Sequence, residues 1–367
     1  MVLLQTIFEV LTTKIFIILP AICALLLSYY GLNNAFRLIH LAKIPLAEKI
    51  SREKQHQAFL TNARALAIQR YSQFKNRVYR IFTYRRYPII VLPLSELKFL
   101  RTLPDTVLSF DDAIAEDLYA RYTGMVVGHH IIQHSVKTRL TPSLPRLNPL
   151  IAMEVADALE KELATNVFFD LAANPHHLPT LRSEIQSVLA CHNNEYTTQA
   201  LQSLKNLDSL LKESSRLHPP GIGAFTRKVL TPFTLPSGQT IPSGVFIEVP
   251  QYATNRDPEI FPNPDEFDPW RFAREREKAR EKGLAEEAAQ NQFVSVSPHG
   301  LTFGYGRHAC PGRFFAANEI KMIVAQVVMG WELKMPDGVQ GRWEDLCLGA
   351  GIVPDPTKSI LMKRFRA

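Results

Sequence analysis

The stretch FGYGRHACPG (303–312) holds the residue with the most distinctive chemistry in the chain, the thiol of Cys310. The three glycines of this loop allow a tight backbone path that bulkier residues would block, and Pro311 fixes φ directly after the cysteine. A helix that starts near Gly312 would direct its first amide groups at the sulfur and favour the thiolate there. Arg307 adds positive charge beside it. The pattern predicts a presented thiolate rather than a cysteine buried as a small apolar side chain.

Such a thiolate could serve as a nucleophile or as a metal ligand. A nucleophile needs a histidine base, and His308 is too close in the chain to be assigned that role. A metal ligand without a second protein ligand points to a macrocycle that fills the remaining coordination positions. A haem is such a macrocycle.

Histidines also cluster in the stretch 125–147, where His129, His130 and His134 could suggest a metal site. No carboxylate or cysteine follows them at ligand spacing. The preferred interpretation of this stretch is therefore a mobile loop.

A charged pair lies upstream of the cysteine, in the segment KESSR. Glu213 and Arg216 are three residues apart, which places them on one face of a helix at ion-pair distance. This pattern alone is weak, because charged helices often contain it. Here it precedes the proline-terminated LHPP, then a sheet-forming segment, then FDPWRF with Arg271, and finally the cysteine loop. The order of these segments is more specific than any one of them.

The 367 residues carry 42 lysines and arginines against 35 acidic residues, which gives a formal net charge of +7. A nucleic-acid-binding protein would concentrate this charge in a basic patch interleaved with aromatic residues, and the sequence contains none, so we expect no nucleic-acid partner. A membrane surface or an acidic protein partner agrees with the charge. The four cysteines form no CxxC pair, which argues against a zinc site or a disulfide framework and indicates a reducing compartment.

The N-terminal segment IFIILPAICALLLSYYGL (15–32) is uncharged and just long enough for a membrane-spanning helix. Lys14 is the one lysine or arginine before it, whereas several follow between 37 and 54. The positive-inside rule then places the bulk of the chain in the cytosol. A cleaved signal peptide is the alternative, but the apolar run is long and no small-x-small cleavage site stands out. We therefore expect residues 1–32 to form a retained membrane anchor.

The rest of the chain predicts a mainly α-helical protein with small β-sheets. β-branched and aromatic residues predict a strand pair over 77–93, and Pro-Ser-Gly turns between β-rich runs predict a hairpin sheet over 224–258. The charged run 273–292 predicts a solvated helical insertion without an assigned function. The amphipathic segments that predict helices are 151–175, 178–190, 201–220 and 313–333.

This ordered set of motifs resembles that of a cytochrome P450. The positions of the family's cysteine loop, F-x-x-G-x-x-x-C-x-G, are matched by Phe303, Gly306, Cys310 and Gly312. The family's E-x-x-R pair is matched by Glu213 and Arg216, and its later arginine is matched by Arg271. The resemblance implies that these three charged residues form a buried ionic cluster that supports the haem-binding core.

The resemblance also implies the ligands and partners. Cys310 would be the axial thiolate ligand of the iron of haem b. Arg227 and Arg307 match positions that pair with haem propionates in the family, the first of them more loosely. Electrons would come from NADPH through a separate cytochrome P450 reductase, and the substrate would be a lipophilic small molecule such as a terpenoid.

The N-terminal anchor resembles that of the microsomal type, which implies an endoplasmic reticulum membrane protein with a cytosolic domain over 33–367. The resemblance fits throughout from about Leu178 to the C-terminus. In detail the sequence most resembles fungal P450s of secondary metabolism, including the terpenoid and ent-kaurene-oxidase-like group. It implies the P450 fold in an incomplete form, with most of the distal helix region missing.

That missing region is identified from an absent motif. The A/G-G-x-D/E-T pattern of the family's long distal helix does not occur in the sequence, so we assign no catalytic residue. ATNVFFDLAANP (164–175) resembles the end of that helix, whereas ADALEKEL (156–163) resembles a much earlier one. We therefore expect an internal shortening near 163–165. Thr165 is interpreted as a plain helix residue, because no glycine and acid precede it.

Two functions follow from the resemblance. The leading hypothesis is a haem-thiolate monooxygenase, and the alternative is a truncated, non-catalytic P450 remnant with impaired haem or oxygen handling. A membrane-anchored scaffold in which Cys310 is merely buried would leave the order of the motifs unexplained.

Overall fold

The structure, a computed structural model, describes residues 2–85, 87–128, 130–158 and 165–365. The helices are α1 (Val2–Lys43), α2 (Arg52–Phe74), α3 (Leu97–Leu100), α4 (Phe110–Asp117), α5 (Ala120–Thr123), α6 (His130–Ser135), α7 (Thr141–Ala158), α8 (Thr165–Ala173), α9 (Leu178–Ala190), α10 (Thr198–Ser203), α11 (Lys205–Leu217), α12 (Gln251–Thr254), α13 (Arg271–Glu281), α14 (Ala285–Gln290) and α15 (Arg313–Gly330). The strands are β1 (Tyr79–Ile81), β2 (Ile89–Val91), β3 (Leu108–Ser109), β4 (Ala224–Val229), β5 (Phe233–Thr234), β6 (Thr240–Ile241), β7 (Phe246–Val249), β8 (Trp331–Lys334), β9 (Asp345–Leu348), β10 (Gly351–Pro354) and β11 (Leu361–Arg364). The predicted class, mainly α-helical with small sheets, is confirmed.

The largest sheet has five strands in the order β1-β2-β7-β4-β3. Strands β2 and β7 run parallel, and the other neighbours run antiparallel. The strand pair predicted over 77–93 is β1–β2. The hairpin sheet predicted over 224–258 is only partly correct, because β5–β6 forms a hairpin while β4 and β7 join the larger sheet. Apolar side chains of β4 and β7, such as Val229 and Ile247, are fully buried. They are stable there because other parts of the protein cover both faces of the sheet.

The helical half is built around α15. This helix is apolar on most of its circumference, and Met322, Val324 and Val328 are completely buried in it. It packs against α7, α9, α10 and α11 in one continuous core. A helix that is apolar all round is stable only inside such a layer, so α15 becomes the rigid element to which the cysteine loop is attached.

The stretch 125–147 differs from its prediction as a mobile loop. It contains α6, a single π-helical turn (Val136–Leu140) and the start of α7. Leu144 is buried against the core, and the Nδ2 of buried Asn148 donates to the hydroxyl of Thr198 (3.2 Å). The π-helical turn runs directly into α7, so Pro142 follows helical backbone, and Pro145 and Pro149 lie inside α7. Tertiary packing therefore makes this stretch helical despite its prolines.

Two predicted helices have different limits in the structure. The run 201–220 is divided into α10 and α11 at Leu204, whose ψ of 77° breaks the helix while its side chain remains fully buried. The run 151–175 contains the end of α7 and all of α8. Residues 159–164 between these helices lie outside the described residues, and they include part of the expected shortening near 163–165. His129 also falls outside the described residues. Among the residues that are described, no three His, Cys, Asp or Glu side chains group together as a metal site.

The predicted anchor lies within α1. The part of this helix from Ile18 to Lys43 is long and apolar enough to cross a membrane, and its most apolar window is not buried against protein. Leu41, near its end, and Ile44, just after it, are buried in the core beside the five-stranded sheet. The helix therefore emerges from the folded body and exposes its apolar side chains from Ile18 to Leu32.

Candidate functional site

The cysteine loop is held by its own backbone. The N–H of Cys310 donates to the carbonyl of Phe303 (2.8 Å), and the N–H of Ala309 donates to that of Gly306 (3.1 Å). Gly304 and Gly306 have φ of +75° and +71°, which L side chains rarely adopt. A Cβ on Gly306 would also lie 3.1 Å from the Cβ of Arg101. The loop can therefore follow this path only with glycine at both positions.

Cys310 stands two residues before the cap of α15, as predicted, and its thiol is exposed and free. Gly312 caps the helix with an ordinary φ of −85°, so the expected need for a third glycine in a tight path is wrong. A Cβ on Gly312 would meet no atom within 4 Å. Phe303 packs edge to face on Phe293, with ring centroids 5.2 Å apart. The backbone of Cys310 is thus bonded to a phenylalanine whose ring is packed, and there is open space at Gly312, two residues further on.

The predicted ionic cluster is assembled as a network around one carboxylate. Glu213 is completely buried and receives two hydrogen bonds of 2.8 Å from Arg216 and two of 3.2 Å from the Nε of Arg271. The remaining N–H groups of Arg216 donate to the carbonyls of Asn255 (2.5 Å) and Pro264 (2.7 Å). The cluster fastens α11 to the irregular segment before α13.

Arg227 is buried on β4, and the Nη1 of its guanidinium donates to the carbonyl of Thr226 (2.8 Å). Burial lowers the pKa of Arg227 to about 10. Its guanidinium lies over the rings of Phe225 (4.2 Å) and Phe110 (4.9 Å). Among the described residues, no carboxylate forms an ion pair with it. A buried arginine without an ion pair is energetically costly, and here only the charges of Asp105 and Asp111 partly offset that cost.

The loop places two further basic groups close to Arg227. The exposed Arg307 donates to the carbonyl of Leu103 (2.6 Å) and lies 3.7 Å from Asp105. The Nε2 of His308 lies 2.7 Å from the same carboxylate, whereas its Nδ1 is buried without a hydrogen-bond partner among the described atoms. We call the cleft lined by Arg101, Arg227, Arg307 and His308 the basic cleft.

Sequence reasoning missed two members of the basic cleft. His308 had a usable signal, since it lies two residues before Cys310 in the same loop. Arg101 had none, because it is about two hundred residues away and only the fold places its Cβ against Gly306. Arg227 and Arg307 were both predicted, and both line the cleft.

A second charged network was also missed. The two ring nitrogens of His218 face Asp170 (Nε2–Oδ1, 3.3 Å) and Asp345 (Nδ1–Oδ2, 2.7 Å). Arg342 pairs with the same two carboxylates at 2.7 and 3.0 Å. Burial lowers the pKa of His218, but the hydrogen bonds and charges of both aspartates outweigh it and raise that pKa above 6.5. We call these four residues the histidine latch, which connects α8, the end of α11 and β9.

Thr165 begins α8 and is exposed. It lines a cavity of about 330 Å³ whose walls include Leu211, Ile320 and Ile323 and also the polar Ser214, Ser215 and Glu319 of α11 and α15. Among the described residues no side-chain hydrogen bond of Thr165 is found, and its interpretation as a plain helix residue stays a prediction.

Comparison with known proteins agrees with this geometry. Residues 164–360 match the family model described as cytochrome P450. The chain is 44% identical over 200 residues to cytochrome P450 monooxygenase ATR3 of Stachybotrys chlorohalonatus, an alignment that covers 54% of this chain and 42% of that protein. It is 35% identical over 242 residues to cytochrome P450 monooxygenase ORF5 of Penicillium roqueforti, covering 64% and 44%.

A third relative, cytochrome P450 monooxygenase prx8 of Penicillium rubens, is 34% identical over 242 residues, again 64% of this chain and 44% of the relative. The chain thus spans less than half the length of these curated relatives, all of them fungal. The family model covers more than half of the chain, and its matched range contains the ionic cluster and the cysteine loop. On this evidence the chain belongs to the cytochrome P450 family.

Proposed function

We propose that this chain binds haem b through Cys310 and acts as a haem-thiolate monooxygenase on a lipophilic small molecule. The observation that carries the proposal is an exposed thiol just before a rigid helix, in the loop that lines the basic cleft together with Arg227, a buried arginine without an ion pair among the described residues. The iron of haem binds a thiolate ligand. The two carboxylates of haem accept hydrogen bonds from cationic side chains. The donor set of this chain therefore fits that group.

Each residue has a defined part in this proposal. Cys310 would hold the iron, and Arg227 and Arg307 would receive the propionates. Phe303, Gly306 and Gly312 would shape the loop beneath the ring, and the ionic cluster would keep that loop in place. Thiolate-ligated haem supplies the activation of dioxygen when it is bound. The task of this chain is to orient the group and to keep the thiolate available.

The other parts of the proposal concern partners and location. The apolar part of α1 supports a single-pass anchor, residues 1–32, in the endoplasmic reticulum membrane, with residues 33–367 in the cytosol. Electrons would come from NADPH through a separate reductase, and the net charge of +7 suits docking to an acidic flavoprotein. The apolar residues near Met125 and Ile222 favour a lipophilic substrate, such as a terpenoid-type secondary metabolite.

The test is the carbon monoxide difference spectrum of the full chain, reconstituted with haem and reduced. We expect a Soret band at the thiolate-ligated position, and we expect Cys310→Ser to abolish it while the variant keeps the helical content of the wild type. A folded wild-type chain without that band would refute the haem-thiolate assignment. The exposed Cys191 offers a matched control, since Cys191→Ser should leave the band unchanged.

A non-catalytic P450 remnant is the second candidate. It is favoured by the absent distal motif and by a chain that spans less than half the length of its relatives. The two candidates differ in turnover: a normal Soret band without NADPH-dependent oxidation in the presence of reductase would favour the remnant. Both candidate functions include the expected internal shortening near 163–165.

A further inference from the structure

We propose that Phe110 is a positioning residue for haem binding: its ring fixes the guanidinium of Arg227 and the imidazole of His308 so that both face the carboxylates of the porphyrin. This inference rests on the proposed function. It concerns a residue that carries no charge, lies outside the sequence motifs and contacts both Arg227 and His308 of the basic cleft.

The contacts are direct. The guanidinium carbon of Arg227 lies 4.9 Å from the ring centroid of Phe110, within the range of a cation–π interaction. The imidazole of His308 stacks on the same ring with centroids 5.2 Å apart and planes inclined by 25°. One aromatic side chain thus touches a donor from β4 and a donor from the cysteine loop.

The chain places Phe110 at this point by strand pairing. In the pairing of β3 with β4, Leu108 lies opposite Val229 and Ser109 lies opposite Lys228. The residue after β3, Phe110, therefore lies beside Arg227. There the strand changes directly into α4, whose first residue is Phe110. The hydroxyl of Ser109 caps this helix by accepting the N–H of Asp112 (3.0 Å). Strand register and helix cap together leave the ring little freedom.

The guanidinium of Arg227 lacks a counter-charge. Its Nη1 donates to the adjacent carbonyl of Thr226, and no carboxylate forms an ion pair with it among the described residues. The Nε2 of His308 lies 2.7 Å from Asp105, and its Nδ1 has no hydrogen-bond partner among the described atoms. A buried cation without a counter-charge is costly unless a ligand supplies one. The carboxylates of a porphyrin would supply it at Arg227, beside the imidazole that stacks on the same phenylalanine ring.

The experiment compares haem with its dimethyl ester, in which both carboxylates are blocked. Binding to the full chain in detergent is measured by quenching of its three tryptophans, and the Soret band reports the thiolate separately. We expect the wild type to prefer haem over the ester. Phe110→Leu should reduce that preference roughly three- to tenfold, which is the size of one partly desolvated cation–π contact.

Two variants act as controls. Phe110→Tyr keeps an aromatic ring and should retain the wild-type preference. Phe99→Leu removes a half-buried ring that packs on Phe233 (6.3 Å) near the same sheet, and it should also retain the preference.

The outcomes separate the two proposals. If Phe110→Leu keeps the wild-type preference, or weakens haem and ester equally, Phe110 is only a packing residue and the inference is wrong. A wild type that binds both porphyrins equally well overturns it too. A wild type that binds neither porphyrin and shows no Soret band overturns the haem assignment itself, and this inference with it.

Discussion

Glu213 shows how much a single side chain can determine in this molecule. Its carboxylate is completely buried and is shared by two guanidiniums, each of which also ties down backbone carbonyls. Removing one partner of a buried ion pair leaves uncompensated charge in a medium that solvates it poorly. The residue is therefore a structural centre with no part in the chemistry at the sulfur.

We expect Glu213→Gln to lower the free energy of unfolding by about 3–5 kcal/mol, because Arg216 and Arg271 lose their shared counter-charge. Urea denaturation followed by tryptophan fluorescence measures it. The matched control is Glu275→Gln, whose half-exposed partner Lys278 lies 2.8 Å away on the surface of α13. That change should cost at most about 0.5 kcal/mol, and equal losses in the two variants would contradict the role of the cluster.

At the scale of elements, the histidine latch connects three parts of the chain that no sequence motif relates. His218 faces a carboxylate from each ring nitrogen, an arrangement that favours its protonated form. When His218 is protonated, its charge and that of Arg342 balance the two aspartates between α8, the end of α11 and β9. The hairpin of β9 and β10 is also bonded to the segment after α11, through the N–H of Ile222 and the carbonyl of Ala350 (2.9 Å).

The latch predicts a pH dependence of stability with a definite sign. A histidine whose folded pKa is raised above 6.5 contributes its full stability below that pH and loses it as the pH rises through the folded pKa. We therefore expect the stability difference between the wild type and His218→Gln to shrink as the pH rises from about 6 to about 9. Thermal unfolding over this range measures the difference.

The control for this prediction is His176→Gln, since His176 is exposed and stacks only on its neighbour His177. A stability difference that stays constant across the range for His218→Gln would show that the imidazole is not the titrating group.

At the scale of the whole molecule, α1 joins two environments. Its end is fixed in the core by Leu41, whereas its earlier apolar side chains, such as Leu25 and Leu27 (each 71% exposed), have no protein cover. Exposing this much apolar surface to water is unfavourable, and a bilayer would remove it from water.

The full chain should accordingly stay in the membrane pellet after an alkaline carbonate wash. Removing residues 1–32 should release it into the supernatant, while the remaining part of α1 keeps Leu41 and its contacts. Release of the intact chain by carbonate would contradict a membrane-spanning anchor.

Much of this organisation was accessible from the sequence because it depends on local chemistry. A proline-bounded loop with glycines, an E-x-x-R pair and an apolar N-terminal run each have a physical signature within a few residues. The structure confirms their direct consequences: Cys310 just before a helix, Glu213 bonded to Arg216, and an exposed apolar helix. In the stretch 125–147, packing against neighbouring elements determines the conformation. The local pattern predicted a loop there, whereas most of the stretch is helical.

The sequence by itself determined the family, the position of Cys310 just before a helix, and the ion pair of Glu213 with Arg216. Only the tertiary structure decided which groups meet across long distances in the chain: Phe110 and Arg101 with the cysteine loop, and His218 with its two aspartates. The physical reason is that these contacts depend on strand register and helix packing, which join residues up to about two hundred positions apart. No local pattern of residue types records such a pairing.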